Sequence, residues 1–181
     1  MEPFADTADL KVSHPTLSTA AAGRALEKAS AAIRAWCGWS ISRETVTKRL
    51  DGTGERSLWL RTLQLTDVVE LTVTGVPLVP LVDYDWTLYG RVLHRSRWPD
   101  TPRSVEITYT HGFDPVPLEL VEACLELAGK AVANPYGAVG LTRTAGPYTE
   151  TASYARSLPN ESAASLGCSV DLGQYRIEDV R

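Results

Sequence analysis

The sequence predicts an α+β fold in which helices pack with an antiparallel β-sheet subdomain and flexible arms extend from both ends. Two stretches with apolar residues at spacings of three and four bracket a long region of alternating or clustered β-branched and aromatic residues. Outside that frame the chain is polar or broken by proline and glycine.

Residues 1–17 are mixed and polar, and Pro3 and Pro15 interrupt them, which predicts an extended arm rather than core. Ser18 or Thr19 can cap the free N–H groups of a helix whose stripe is Leu26, Ala29, Ile33 and Trp36, with Gly38 as its stop. The alanine-rich surface of this helix has little side-chain entropy to lose and allows a second helix to come close. The segments 40–50, 57–65, 68–76 and 82–90 read as strands, separated by Asp51–Glu55, Thr66-Asp67 and Val76–Pro80. Gly90 suits a tight turn, so Tyr84–Leu88 and Arg91–Arg95 are expected to pair as a hairpin. Val105, Ile107 and Tyr109 alternate with Glu106, Thr108 and Thr110 in the clearest period of two, which His111-Gly112 closes. A second helix opens at Pro117, carries Leu118, Val121, Leu125, Ala128 and Val132 as its stripe, and stops at Asn134–Gly137. From Gly140 onward threonine and small residues predict a loop, and apolar content returns only between Leu172 and Val180. The expected organisation is an arm over 1–17, an α+β core over 18–137, and a loop with a docking tail over 138–181.

The 181 residues, 44% hydrophobic and 22% charged, suffice for one core. A net charge of -4 and single rather than clustered basic residues argue against a protein that grips nucleic acid, because that affinity comes from neutralising phosphates. Met1–Phe4 carries acid where a secretory signal carries base, and no apolar stretch reaches the length of a membrane span, so synthesis in the cytosol and no membrane partner are expected.

The search for chemistry returns little. Neither a phosphate-binding glycine loop nor a nucleophile elbow is present. His14, His94 and His111 lack metal-ligand spacing, and Cys37, Cys124 and Cys168 are far apart, so no metal and no cofactor are expected and the thiols read as reduced. His111 continues the apolar face of its strand, which points to hydrogen-bonded packing. Asp83 and Asp85 share a strand face and in principle could divide acid and base roles, but the solvent side of a strand explains them better. Glu119, Glu122 and Glu126 fit the first turns of a solvated helix face, with Lys130 four residues beyond Glu126. The expectation is a protein that is not an enzyme.

Five tryptophans are many for this length, and tryptophan is favoured at interfaces. Trp36 and Trp86 are expected in the core, while Trp59 and Trp98 are the candidates for a subunit interface, Trp98 because it lies in a loop rich in proline and arginine. A competing reading makes exposed Trp59, Trp86 or Trp98 the stacking platform of a small carbohydrate- or peptide-binding module.

One further pattern emerges from the order of motifs. A helix ending in Ala35-Trp36-Cys37-Gly38-Trp39 precedes the apolar strand Leu71–Val76, then Asp83-Tyr84-Asp85-Trp86 leading through Gly90 to Val92–Arg95. Trp98, Val105–Phe113, the helix opening at Pro117 and Gln174-Tyr175-Arg176 follow. In this order, from about Ala20 onward, the chain resembles the head-to-tail connector family of tailed bacteriophages, in particular the small adaptors of long-tailed phages of actinobacteria. Ser157–Gly167 departs from that pattern, being polar and without a helical period. The resemblance implies a structural virion protein: a ring of about 12 copies in the neck, assembled in the host cytoplasm. The ring would lie under the portal protein and meet neck and tail-completion proteins, while DNA passes through its channel without specific binding. It also implies that the C-terminal segment engages the portal, which on this chain means Leu172, Tyr175, Arg176 and Ile177.

Overall fold

A computed structural model describes residues 2–133, 141–145, 148–152 and 168–177. In chain order the elements are α1 (Thr7–Ser13), α2 (Thr19–Cys37), β1 (Glu44–Leu50), β2 (Ser57–Trp59), β3 (Leu65–Val73), β4 (Val76–Pro77), β5 (Tyr84–Trp86), β6 (Arg91–His94) and β7 (Val105–His111). Then come α3 (Leu118–Ala133), β8 (Leu141–Ala145), β9 (Tyr148–Ala152) and a 3₁₀ turn at Gly173–Tyr175. They divide into a helical unit, Met1–Trp36 with Pro117–Gln174, and a β unit, Cys37–Val116 with Tyr175–Arg181.

In the helical unit many of the buried side chains are small. Ala22, Ala25 and Ala29 of α2 and Ala123, Cys124 and Ala128 of α3 are buried, beside Leu26, Ile33 and Leu120. The Ser30 hydroxyl lies 3.3 Å from the Cys124 sulfur, and that sulfur lies 3.8 Å from the Leu26 carbonyl. The same hydroxyl accepts from the Phe4 amide at 3.0 Å, so one α2 serine fastens both α3 and the N-terminus.

That N-terminus corrects an expectation. Residues 1–17, read as an extended arm, instead fold onto their own unit: Asp6 caps α1 through Ala8, α1 packs on α3, and Phe4, Ala5 and Leu10 are buried. The Arg34 guanidinium covers the Phe4 ring at 4.2 Å. Two turns of helix are too short to be stable alone or to show a period, so the packing supplies what the local sequence lacks. A second correction concerns the expected loop after Gly140, where β8 and β9 pair antiparallel from Leu141↔Ala152 to Ala145↔Tyr148.

The β unit holds two antiparallel sheets, ordered β1-β7-β3-β4 and β2-β6-β5. β7 shows the alternation read from the sequence, with Val105, Ile107, Tyr109 and His111 buried. β3 does not alternate: register shifts after Leu65 and Val68 place buried residues three apart, at Leu65, Val68 and Leu71. The expected strand over 57–65 survives only as Ser57–Trp59. The hairpin at Gly90 forms as read, with Trp86 opposite Val92. A Cβ at Gly90 would lie 2.8 Å from the Leu60 carbonyl oxygen, and φ there is +78°.

The core of this unit is large and aromatic. Tyr84, Trp98 and Tyr109 join Leu58, Leu71, Val92, Val105 and Ile107, with Trp86 packed against them. Trp36, expected in the core, is only half-buried. Trp98, expected at a subunit interface, is 1% exposed and is corrected to a core residue. Its loop folds back over the sheet, anchored by the Trp98 amide donating to the Glu55 carbonyl at 2.8 Å, and the ring meets His94 at a tilt of 56° with centroids 4.9 Å apart.

Candidate functional site: the C-terminal segment and the exposed turns of the β unit

The four residues expected to meet the portal do not share one environment. Leu172 has no exposed surface and belongs to the packing of the helical unit, so it is not a surface contact as expected. Around it, Glu126 of α3 receives both the amide and the hydroxyl of Ser169, at 2.9 and 2.8 Å, and Gln174 donates to Glu119 at 2.7 Å. Lys130 reaches the second Glu126 oxygen at 2.7 Å; this bond and those from Ser169 hold the carboxyl down to about 2. The i, i+4 pair expected on a solvated face therefore has a further duty, clasping the tail.

Tyr175 and Ile177 are partly buried in the β unit, and Arg176 is exposed between them. The Trp39 indole N–H donates to the Tyr175 carbonyl at 2.7 Å, the Ile177 amide donates to the Cys37 carbonyl at 3.0 Å, and Tyr175 meets Phe113 edge-on at 6.0 Å. The tail is thus stitched down by backbone groups, leaving the Arg176 side chain at the surface.

Trp59 is 63% exposed, with the Arg91 guanidinium 5.5 Å from its ring. Register puts it on the opposite face of β2-β6-β5 from Trp86: Trp59 pairs with Arg91, while Trp86 pairs with the next residue, Val92. With Trp98 buried as well and Trp86 partly buried, Trp59 is the exposed ring among the three candidates for a stacking surface.

Two exposed apolar turns flank β5, and sequence reasoning missed both. Val79, Leu81 and Val82 lie in the first, Leu88 and Tyr89 in the second. The signal was present, since turn centres normally carry glycine, proline, asparagine or aspartate rather than leucine and tyrosine. Asp83 accepts from the Val79 amide at 2.8 Å and Asp85 from the Trp86 amide at 2.8 Å, so both carboxylates serve local backbone. A cleft of about 330 Å³ beside them is lined by Arg56, Leu81, Tyr84, Asp85, Leu93, His94 and Arg95.

His111 is 2% exposed, between Trp39 at 6.2 Å and Tyr109 at 5.0 Å. Packing is as expected but hydrogen bonding is not: neither ring nitrogen has a hydrogen-bond partner, and the Glu44 carboxylate is 3.5 Å from Nε2. Burial lowers its pKa despite Glu44, so the ring stays neutral at neutral pH. Cys37, Cys124 and Cys168 are buried and not joined in disulfides. Among the described residues no three metal-ligating side chains converge, and no helix is long and apolar enough to cross a membrane. Ser157–Gly167 lies outside the described residues.

Comparison with known proteins returned no curated sequence match. Among solved structures, the chain is similar to one in the "Neck of native GTA particle computed with C12 symmetry", with 17% identity and a TM-score of 0.62 over 97% of this chain and 92% of that one. It is likewise similar to a chain of the "Virion of native gene transfer agent (GTA) particle", with 17% identity and a TM-score of 0.61 over 91% and 81%. For the "Neck of empty GTA particle computed with C6 symmetry" the values are 19% and 0.57 over 72% and 73%. At these identities the likeness speaks for the fold, which continues over nearly the whole of the first match. The model of the head completion proteins aligns with residues 10–130, from α1 into α3 and through all of Cys37–Val116 between them, and so the chain belongs to the head completion protein family.

Proposed function

We propose that the chain is a structural subunit of a virion neck ring, joining the portal of the head to the tail and surrounding the channel through which DNA passes. The observation that carries this reading is the family match over residues 10–130, which the likeness to chains of particle necks supports. A ring of about 12 copies is the corresponding assembly, given that one of those necks was computed with C12 symmetry. A net charge of -4 suits a channel that must let DNA slide rather than hold it.

Within this reading the portal contact falls on the C-terminal segment around Tyr175, Arg176 and Ile177, with Arg176 as its exposed charge and Leu172 as an internal anchor beneath. Trp59 is assigned to a contact between neighbouring copies.

The test is the composition and image of purified particles. The chain is expected at ring stoichiometry in the neck, and its absence from particles that carry tails would falsify the proposal. For the portal contact, Arg176→Glu is expected to weaken capture by portal rings by at least about tenfold while leaving the fold intact. Undiminished capture moves the contact elsewhere on the molecule. Deleting the tail is a poorer test, because it removes the buried Leu172.

A further inference from the structure

The two apolar turns are better ordered than exposed apolar side chains need to be. In the first, the Val82 and Asp83 amides donate to the Val79 carbonyl at 3.3 and 2.9 Å, and the Leu81 amide donates to the Tyr84 carbonyl at 2.7 Å. The Arg95 guanidinium then holds the Leu81 carbonyl at 2.7 Å. Leu81 is kept at φ +63° with 66% of its surface exposed, a conformation that bulky side chains rarely adopt. In the second turn the Gly90 amide donates to the Thr87 carbonyl at 3.1 Å and the Leu65 amide to the Leu88 carbonyl at 2.7 Å. Leu88 and Tyr89, 48% and 65% exposed, are thereby held at the turn centre. β5 is the edge strand of its sheet, and its three residues span about 10 Å, so the two turns are close neighbours. A rigid backbone that aims large apolar groups at water is a surface prepared for cover.

Charge says what covers it. Exposed guanidinium groups stand by the turns: Arg56 and Arg95 line the cleft with Leu81 and Asp85, and Arg91 follows Tyr89-Gly90. The chain itself carries the complement, an exposed leucine set among carboxylates, where α3 begins with Leu118, 69% exposed, followed by Glu119 and Glu122. A ring of identical subunits needs such a pair, because each subunit presents one patch to a different patch on its neighbour.

We propose that the turns at Val79–Val82 and Leu88–Tyr89, rimmed by arginine, are the face by which one copy of this chain seats on the opening turn of α3 in a second copy. The contact deepens the neck-ring reading and rests on it for the ring, but the two can be tested separately.

The experiment is sedimentation of the purified full chain over a hundredfold range of concentration. The unmodified chain is expected to associate with increasing concentration. The Leu81→Asn, Tyr89→Ser variant is expected to associate at least about tenfold more weakly with an unchanged circular dichroism spectrum, since both positions are exposed and asparagine tolerates the left-handed backbone. Arg91→Glu is expected to weaken association similarly, and mixing it with Glu122→Arg to restore it. Recovery in that mixture identifies α3 of a second copy as the occupant. A wild-type chain that stays monomeric throughout, or a double variant that associates as wild type does, overturns the proposal. A monomer that still enters the neck defeats this contact and leaves the function standing; a self-associating chain absent from particles does the reverse.

Discussion

The two units solve the packing problem in opposite ways. The helical unit buries alanines at 22, 25, 29, 123 and 128 around Leu26, Ile33 and Leu120, whereas the β unit buries Trp98, Tyr84, Tyr109, Ile107 and Leu71 and fills the space with large side chains. A core of small residues has little volume to lose and no room to gain, while a core of large residues has much to lose. Opposite substitutions therefore probe the two halves, truncation in the β unit and enlargement among the alanines.

The largest effect is expected where the volume is largest. Trp98→Ala removes a side chain that is 1% exposed, and chemical denaturation of the variant should show a loss of about 3–5 kcal/mol. A loss below about 1 kcal/mol would mean that Trp98 is not the centre of the β core. In the helical unit the reverse change is the damaging one. Ala123→Leu pushes a larger group into a site with no exposure and should cost about 1–3 kcal/mol by the same measurement. If that leucine is accommodated without loss, the helices are not held at the spacing set by their small residues.

The smallest effect is local and depends on pH. Glu126 titrates near 2 when folded, against an ordinary value of 4.5, because Lys130 and Ser169 both bond its charged form. A lowered folded value means that the clasp is complete above about 4.5 and is lost as pH falls toward 2. Hydrogen-exchange protection of the Ser169 amide should decline through that window, and in Glu126→Gln the decline should vanish. Protection that falls identically in both proteins would assign it to another group.

What could be read in advance divides along the same lines as the packing. α2, α3 and β7 were legible because each is long enough to repeat its period, and the Gly90 hairpin because its turn needs a residue free to adopt positive φ. α1 was not, since two turns carry no period and Leu10 is its single buried residue. β3 was misleading because its bulges convert alternation into a spacing of three. Trp98 reads as a surface residue because it stands in a loop rich in proline and arginine, and Leu172 because the family resemblance puts the portal contact on the C-terminal segment. Burial of a loop residue is decided by where the chain returns, which local sequence does not encode. The apolar turns were the one visible anomaly left unused, with leucine and tyrosine standing where glycine or asparagine is normal.

The Ser169 clasp also sets what the rest of the chain can tolerate. Glu126 and Ala133 are seven residues apart on α3, about 10 Å along its axis, so Ser169 is pinned within a few turns of the point where α3 ends. Between two pinned points a flexible connection pays only about 0.6 kcal/mol of closure entropy for each doubling of its length. Changes of length between Ala133 and Cys168 are therefore expected to leave the buried residues of both units in place.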